Sequence, residues 1–319
     1  MEFKLKKSNE LSSLEKEQIC ALFERVFGKQ KPLDKFKRQF ESTVLGYSYH
    51  GLMVEHETIV GSYTAIPFKY RFFGKNLVFA LSVDTMIDEA FRGSPFNLKK
   101  VANLVYDTLV KDKVPFVFGF PNENVYLVRK KLLQWHDIGQ LNYYVLPIEI
   151  GAFKKILSWL NFGSKIVSKI VNSFSKQINL QKMIEPKPYP VEKEVDANFM
   201  RYRYDDTYKV VKGMGDSYFA YKLGEEKGVN GAYLIDVFPL QKKWLASAVK
   251  YIYENEKRID AILYAGKLPF SAINLFKVPK SLAPKDIKMS GKILIDTLVD
   301  DRIFDITNWN VNLSNFDVR

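Results

Sequence analysis

Two hydrophobic periodicities alternate along the first 150 residues. Apolar side chains recur at helical spacing in residues 11–27 and again in residues 95–109. Between these segments, glycine and proline separate short stretches typical of strands, and a longer strand is predicted over residues 76–88. A strand, a helix and a further strand are predicted after residue 113. This order is typical of an α/β domain with a mixed sheet.

Residues 151–190 follow a different pattern. Six lysines and no acidic residue occur between residues 153 and 183, and apolar residues recur among them at helical spacing. This predicts two amphipathic helices around Asn161–Gly163, followed by a proline-rich linker, EPKPYPVEKE. We interpret the segment as a helical connector whose lysines face water. The alternative is a peripheral contact with a membrane surface or with nucleic acid.

The order of predicted elements recurs in the last 130 residues. A hairpin with a glycine-rich turn is followed by a helix over residues 241–256 and a strand over residues 260–266. A short helix over residues 270–279 and a strand over residues 291–299 complete the pattern. The sequences of the two halves are not similar. We therefore predict a domain at 1–150, a basic connector at 151–190 and a second domain at 191–319.

Composition narrows the classes of function. Hydrophobic residues make up 47% of the 319 residues and charged residues 26%, as in globular proteins. The single cysteine, Cys20, excludes a disulfide framework and a cysteine-based zinc site, and the three histidines show no metal-binding spacing, so no metal is expected. The first residues lack the apolar core of a signal peptide, and no stretch has the roughly 20 apolar residues of a membrane span, so a cytoplasmic location is expected. The net charge of +12 favours an anionic partner.

The clearest chemical signal lies in residues 80–109. Arg92 and Gly93 form a tight turn after a strand, and Ser94 and Pro95 are typical of the N-cap and the first residue of a helix. Such a turn directs backbone N–H groups and the positive end of a helix dipole towards one point. The guanidinium adds planar donors suited to phosphate. These residues alone indicate either an anion site or a capped crossover.

This segment resembles motif A of the GNAT superfamily of N-acyltransferases. In that motif a turn reading Arg/Gln-x-x-Gly-x-Gly/Ala joins the fourth strand to its helix. The resemblance continues through VPFVFGFPNENVYLVRKKLLQWHDIG and covers residues 10–148, whereas the second half shares only the architecture. Two departures stand out: Pro95 replaces the first motif glycine, and Asn97 replaces the last small residue. The resemblance implies two GNAT-like domains in tandem, the second without the pyrophosphate turn.

The resemblance also implies a donor and roles for particular residues. Acetyl-CoA would be the co-substrate, and no metal would take part. The implied cofactor-binding residues are Met86, Arg92, Gly93, Ser94, Phe96, Asn97, Asn122 and Asn124. Asp84, expected mid-strand and in phase with Met86, would accept the proton of the attacking amine, or else it bonds to a neighbouring loop. Tyr126 is the nearest substitute for the tyrosine that protonates the leaving thiolate.

The acceptor is expected to bind with the help of the second domain. The chain resembles tandem GNAT enzymes that acetylate nucleotide-linked amino sugars, such as a dTDP-3-amino-3,6-dideoxyhexose, in O-antigen, lipopolysaccharide and capsule pathways. Trp309 and Asp317, in the closing segment NWNVNLSNFDVR, would contact the nucleotide sugar or else complete a sheet. The alternatives are a Fem-type transferase that uses aminoacyl-tRNA and a non-catalytic GNAT scaffold. Nucleic-acid and membrane partners are not expected, and the oligomeric state stays open.

Overall fold

The computed structural model describes residues 1–152, 161–175 and 188–316. The chain forms two compact units. Unit 1 comprises residues 1–139, 190–203 and 287–308, and unit 2 comprises residues 140–189, 204–286 and 309–319. The units interleave along the chain, whereas the sequence analysis placed the domains one after another.

The strands and helices are numbered along the chain. The strands are β1 (Glu2–Lys7), β2 (Tyr49–Glu55), β3 (Thr58–Phe72), β4 (Lys75–Ile87), β5 (Phe116–Gly119), β6 (His136–Gln140), β7 (Asn142–Pro147), β8 (Val191–Lys193), β9 (Lys209–Lys212), β10 (Tyr218–Glu226), β11 (Val229–Phe238), β12 (Ala261–Gly266), β13 (Phe276–Lys277), β14 (Lys288–Ile293) and β15 (Trp309–Asn310). The helices are α1 (Ser13–Phe27), α2 (Leu33–Phe40), α3 (Pro95–Lys111), α4 (Glu123–Leu132), α5 (Asn161–Ser173), α6 (Ala197–Arg203) and α7 (Lys242–Asn255). None of the helices in the described ranges is long and apolar enough to cross a bilayer.

Unit 1 is built on a mixed sheet with the strand order β1-β2-β3-β4-β5-β14-β6. The first four strands pair antiparallel, whereas β4 and β5 pair parallel. Helix α3 packs on β1, β2 and β3. Val101, Val105 and Leu109 are fully buried, because their spacing of four residues places them on one side of the helix. The helix therefore covers this side of the sheet, and a seven-residue connection, residues 88–94, joins it to β4.

Strand β14 completes the sheet of unit 1 from a distant part of the chain. It pairs antiparallel with β5 through Ser290–Ile293 and Phe116–Gly119, and it separates β5 from β6. The sequence pattern predicts a strand at 291–299 as part of the second domain. The strand instead spans Lys288–Ile293 and pairs with β5 of unit 1, because periodicity does not show which strand a segment will pair with.

Unit 2 has its own mixed sheet, with the order β13-β7-β12-β11-β10-β9. Strands β11 and β12 pair parallel, and α7 connects them. Leu245, Val249 and Ile252 on α7 are buried in the core of this unit. The predicted strand–helix–strand order is confirmed for this part. The helix predicted over 270–279 is wrong, since these residues form no helix and contribute the short strand β13.

Candidate functional site

The centre of unit 1 is the point where β4 runs beyond β5. The two strands pair through Phe79–Leu81 and Phe116–Phe118, and β4 then continues to Ile87. Asp84 and Thr85 form a β-bulge there, because Thr64 pairs with Val83 and Ser62 with Met86. Asp84 has a φ of +44°, which aspartate adopts more readily than most residues. A bulge of this kind redirects side chains and interrupts sheet pairing.

The bulge corrects one expectation about β4. Asp84 and Met86 were expected to share a face, since side chains alternate along a regular strand. The extra residue interrupts this alternation. Met86 is 1% exposed in the core, whereas the Asp84 side chain is 16% exposed. Met86 therefore has only its backbone to offer a ligand, and Asp84 is the β4 carboxylate at the bulge.

Asp84 forms an ion pair with Lys31. The lysine ammonium donates to Oδ2 of Asp84 and, at 2.8 Å, to Oε1 of Gln39. It also lies 4.0 Å from the centre of the Phe23 ring, and its side chain is 9% exposed. The Asp84 carboxylate therefore lies at the bulge in direct contact with a largely buried cation.

A buried histidine lies on β2, within the electrostatic reach of the same lysine. His50 is fully buried, with Nε2 2.8 Å from Ser48 Oγ and Nδ1 3.2 Å from Thr64 Oγ1. Burial, and then the charge of Lys31, lower the pKa of His50 to about 3. The ring is therefore neutral at physiological pH. It serves as a hydrogen-bonding core residue rather than as a proton carrier.

The turn between β4 and α3 contains most of the predicted cofactor-binding residues. Arg92 Nε donates to the Ile87 carbonyl at 2.9 Å, and Asn97 Nδ2 donates to the Phe91 carbonyl at 3.1 Å. Ser94 is the N-cap but makes no side-chain capping bond, and the first turn of α3 has no acidic residue. The positive end of the helix dipole is therefore not balanced from within this turn, which favours an anion there. Gly93 and Phe96 are exposed beside it.

Two asparagines lie at the start of α4. Asn122 is the N-cap of this helix, and its Oδ1 accepts from the Val125 N–H at 3.0 Å. This capping bond alone gives Asn122 a structural role at the start of the helix. Asn124 is exposed on the first turn. Both predicted ligands are exposed, but the Asn122 carboxamide oxygen is already engaged as the helix cap.

The position of Tyr126 differs from the expected one. Its hydroxyl donates to Asp137 Oδ1 at 2.8 Å, and the Lys288 ammonium lies 4.5 Å from the ring centre. Asp137 belongs to β6, which is separated from β4 by β5 and β14. The phenol is therefore directed away from the Asp84 bulge. The role expected for Tyr126, protonation of the leaving thiolate, stays a prediction, and its hydroxyl is engaged by Asp137.

Arg129 is the α4 side chain that does reach β4, and the sequence analysis did not identify it. Its Nη2 donates to Ser82 Oγ at 3.0 Å and to Thr85 Oγ1 at 3.3 Å, so it contacts β4 before the bulge and within it. The residue is 4% exposed, and burial lowers the pKa of its guanidinium, which nevertheless stays charged. Its Nε and Nη1 have no hydrogen-bond partner among the described residues. Helical spacing did not reveal this placement, because Tyr126, three residues earlier on the same helix, bonds to Asp137 on β6 instead.

Gly119 at the end of β5 makes room for this arginine. A Cβ at this position would lie 2.6 Å from Arg129 Nη1 and 2.9 Å from the Ser82 carbonyl oxygen. The guanidinium also stacks on Trp135, 4.5 Å from the ring centre. A larger residue at 119 would displace either the guanidinium or β4. The sequence thus places a buried cation between the ends of two parallel strands.

The remaining predicted residues lie elsewhere. Trp309 is fully buried, so its ring belongs to the core and does not offer a surface for a sugar nucleotide, which corrects that expectation. Asp317 lies outside the described residues. Within residues 1–152, 161–175 and 188–316, no group of three histidine, cysteine, aspartate or glutamate side chains could hold a metal ion.

Comparison with solved structures identifies the fold. No protein-family model and no curated protein matches the sequence. Three similar structures are a probable N-acyltransferase from Enterococcus faecalis (TM-score 0.58, 13% identity) and GCN5-related N-acetyltransferases from Anabaena variabilis (0.59, 12%) and Kribbella flavida (0.59, 9%). Each comparison covers 92% of this chain and 72–73% of the other. The prediction of a mixed α/β fold is therefore confirmed, and the chain has the fold of the GNAT N-acetyltransferases.

Proposed function

We propose that this protein transfers an acyl group from acyl-CoA to an amine. One observation carries the proposal: in a GNAT fold, β4 continues through a bulge past the end of β5 and leads to the start of α3, whose N-cap makes no side-chain bond. Arg92 and the backbone of residues 93–97 would bind the pyrophosphate, as expected from the sequence. Pro95 removes one N–H donor from this group. The thioester would then lie along β4 near the bulge.

The transfer requires one proton acceptor and one proton donor. The amine nitrogen attacks the thioester carbonyl carbon and passes one proton to a base, the carbon–sulfur bond breaks, and the departing thiolate takes a proton from water. Asp84 is the proposed base, either directly or through a water. Lys31 positions the Asp84 carboxylate, because its ammonium donates to Oδ2. Arg129 is also a positioning residue, because it bonds to Ser82 before the bulge and to Thr85 within it.

The second part of the proposal concerns the kind of amine that accepts the acyl group. We expect a nucleotide-linked amino sugar, on the basis of the sequence resemblance and of the net charge of +12, which favours a phosphate-bearing acceptor. Acetyl-CoA is the expected donor. The charge is equally suited to other anionic amines, so the acceptor panel must contain both phosphorylated and uncharged amines.

The test is a thiol-release assay with acetyl-CoA. The panel comprises dTDP- and UDP-linked amino sugars, the free amino sugars and amino acids. We expect release to depend on a nucleotide-linked sugar, to fall in Asp84→Asn and to persist in Asp107→Asn, an exposed acidic position on α3. Equal rates with uncharged amines would refute the acceptor class only. CoA binding without transfer to any amine would favour the non-catalytic scaffold.

A further inference from the structure

Helix α5 belongs to unit 2 and packs on the rest of that unit through its polar side. Ser164 Oγ donates to the Ile148 carbonyl at 2.8 Å, and Ser168 Oγ donates to the Pro147 carbonyl at 2.6 Å. One turn further on, Asn172 Oδ1 accepts from Asn274 Nδ2 at 3.0 Å. These positions are four residues apart and share one side of the helix. Ser168 and Asn172 are buried, so hydrogen bonds hold this helix against the sheet of unit 2.

The other side of α5 exposes large apolar side chains. Phe162 is 76% exposed, Phe174 is 75% exposed, and Ile170 is 50% exposed. We define the α5 apolar face by the exposed residues Phe162, Ile166, Val167 and Ile170 on the helix and Phe174 directly after it. A surface helix ordinarily buries its apolar stripe and exposes its polar one. Here the arrangement is reversed, and a contiguous exposed apolar patch marks a site of interaction.

The surroundings of this face carry positive charge. Lys165 and Lys169 are exposed on α5 itself, and together with Lys257 they line a cavity of about 420 Å³ beside Phe162 and Ile166. Glu149 pairs with Lys165 at 2.5 Å, and Glu256, which also lines the cavity, pairs with Lys209 at 2.7 Å. The sequence from 153 to 183 contains six lysines and no acidic residue. An apolar strip within basic surroundings is the pattern of a helix that lies in a membrane interface.

We propose that the α5 apolar face docks on an anionic lipid surface. Phe162 and Phe174 would insert between the headgroups, and the lysines would lie at the level of the lipid phosphates. A second copy of the chain is a poorer occupant, because a symmetric contact would bring the lysine-rich segments of both copies together. Nucleic acid would use the lysines but not the aliphatic side chains. The charge pattern alone had not led us to expect a membrane contact; the exposure of five large apolar residues does.

Co-sedimentation of the full chain with vesicles tests the proposal. Vesicles of phosphatidylcholine alone are compared with vesicles containing about 30% phosphatidylglycerol, at low and high salt. We expect binding to the anionic vesicles only, weakened at least tenfold by the double substitution Phe162→Ser with Phe174→Ser, and weakened by salt. The matched control is Leu14→Ser with Leu282→Ser, which removes two other exposed leucines, 62% and 67% exposed, and should bind as the wild type does.

The outcomes separate this proposal from the proposed function. Thermal unfolding of the Phe162→Ser/Phe174→Ser variant should match the wild type, since both side chains are exposed, and thiol release in vesicle-free buffer should not change. Absence of binding to anionic vesicles would overturn the proposal, and so would equal binding to neutral ones. A dimer in solution that the double variant dissociates would also overturn it, by assigning the face to a second copy.

Discussion

The largely buried Asp84–Lys31 ion pair should contribute both to the stability of the fold and to catalysis. Asp84→Asn should lower kcat by about a hundredfold or more if the carboxylate accepts the amine proton. Asp84→Asn should also lower the unfolding free energy by about 3–5 kcal/mol, because the Lys31 ammonium loses its carboxylate partner in a poorly hydrated place. Denaturant unfolding and steady-state kinetics measure the two effects separately.

The double variant Lys31→Met/Asp84→Asn distinguishes the two tasks. It removes both charges, so much of the lost stability should return. Activity should not return, because the base is still absent. A stable double variant with wild-type kcat would show that the pair serves only to hold the bulge, and that water or another group takes the proton.

His50 should make the stability of the fold depend on pH. The folded-state pKa is about 3, whereas an unfolded histidine titrates near 6.5, so only the unfolded chain binds a proton between these values. The contribution of His50 is zero above pH 6.5, and it destabilises the fold progressively as pH falls towards 3. Between pH 7 and pH 5 the loss is about 2 kcal/mol.

Urea unfolding at several pH values measures this contribution. The wild-type free energy of unfolding is compared with that of His50→Gln, which keeps hydrogen-bonding groups but cannot titrate. The variant should show a shallower decline below pH 6.5. Parallel curves for the two proteins would mean that His50 is not the group responsible, and exposed His56→Gln provides the control.

Arg129 should affect catalysis more than stability. Arg129→Met removes two hydrogen bonds, but it also removes a buried charge with two unpartnered donors, and these changes largely offset each other. We expect an unfolding free energy within about 1–2 kcal/mol of the wild type. We expect a lower kcat with an unchanged KM for the amine, because Thr85 and Ser82 lose the group that fixes the bulge.

The control for Arg129 is Arg201→Met, which changes an arginine bonded to Asn198 on the surface of α6. It should leave kcat unchanged. A second variant, Gly119→Ala, tests the same placement from the other strand, because its methyl group would meet Nη1. If Arg129→Met lost most of its stability and kept its kcat per folded molecule, the arginine would be a structural residue alone.

At the scale of elements, local signals identified α3 and the turn before it. The Ser94–Pro95 start, the apolar spacing through Leu109 and the mixed α/β order were all available from the sequence. Three features were not. The β4 bulge depends on pairing with β3, the placement of β14 depends on a partner more than 160 residues away, and the reversed burial of α5 depends on where its serines find acceptors. All three are tertiary effects that periodicity does not encode.

The start of α3 should determine the affinity for the donor. Arg92→Ala should raise the KM for acetyl-CoA by about tenfold to a hundredfold, which corresponds to the loss of one charge-assisted contact of about 1.5–3 kcal/mol. The KM for the amine should change little. Lys111→Ala, at the opposite end of the same helix, removes an equal charge and is the matched control. An unchanged KM for acetyl-CoA in Arg92→Ala would show that Arg92 does not bind the pyrophosphate.

At the scale of the whole molecule, each of the two units contains a parallel strand pair whose strands are connected by a helix. Residues 88–94 connect β4 to α3 in unit 1, whereas only residues 239–241 connect β11 to α7 in unit 2. The shorter connection contains Pro239, which lacks an N–H donor, and no arginine. Trp244 and Leu245 on the first turn of α7 are buried in the core of unit 2. The second connection therefore lacks the length and the donors of the first.

This asymmetry predicts one CoA per chain, bound by unit 1. Titration calorimetry should give a stoichiometry of one CoA per chain. Arg92→Ala should lower the affinity for that one CoA. Hydrogen exchange should show protection by CoA at the start of α3 and along the end of β4, because those backbone N–H groups would face the ligand. The start of α7 is the internal control and should exchange at the same rate with and without CoA. Two CoA molecules per chain, or protection at α7, would mean that the second strand–helix–strand segment also binds the donor.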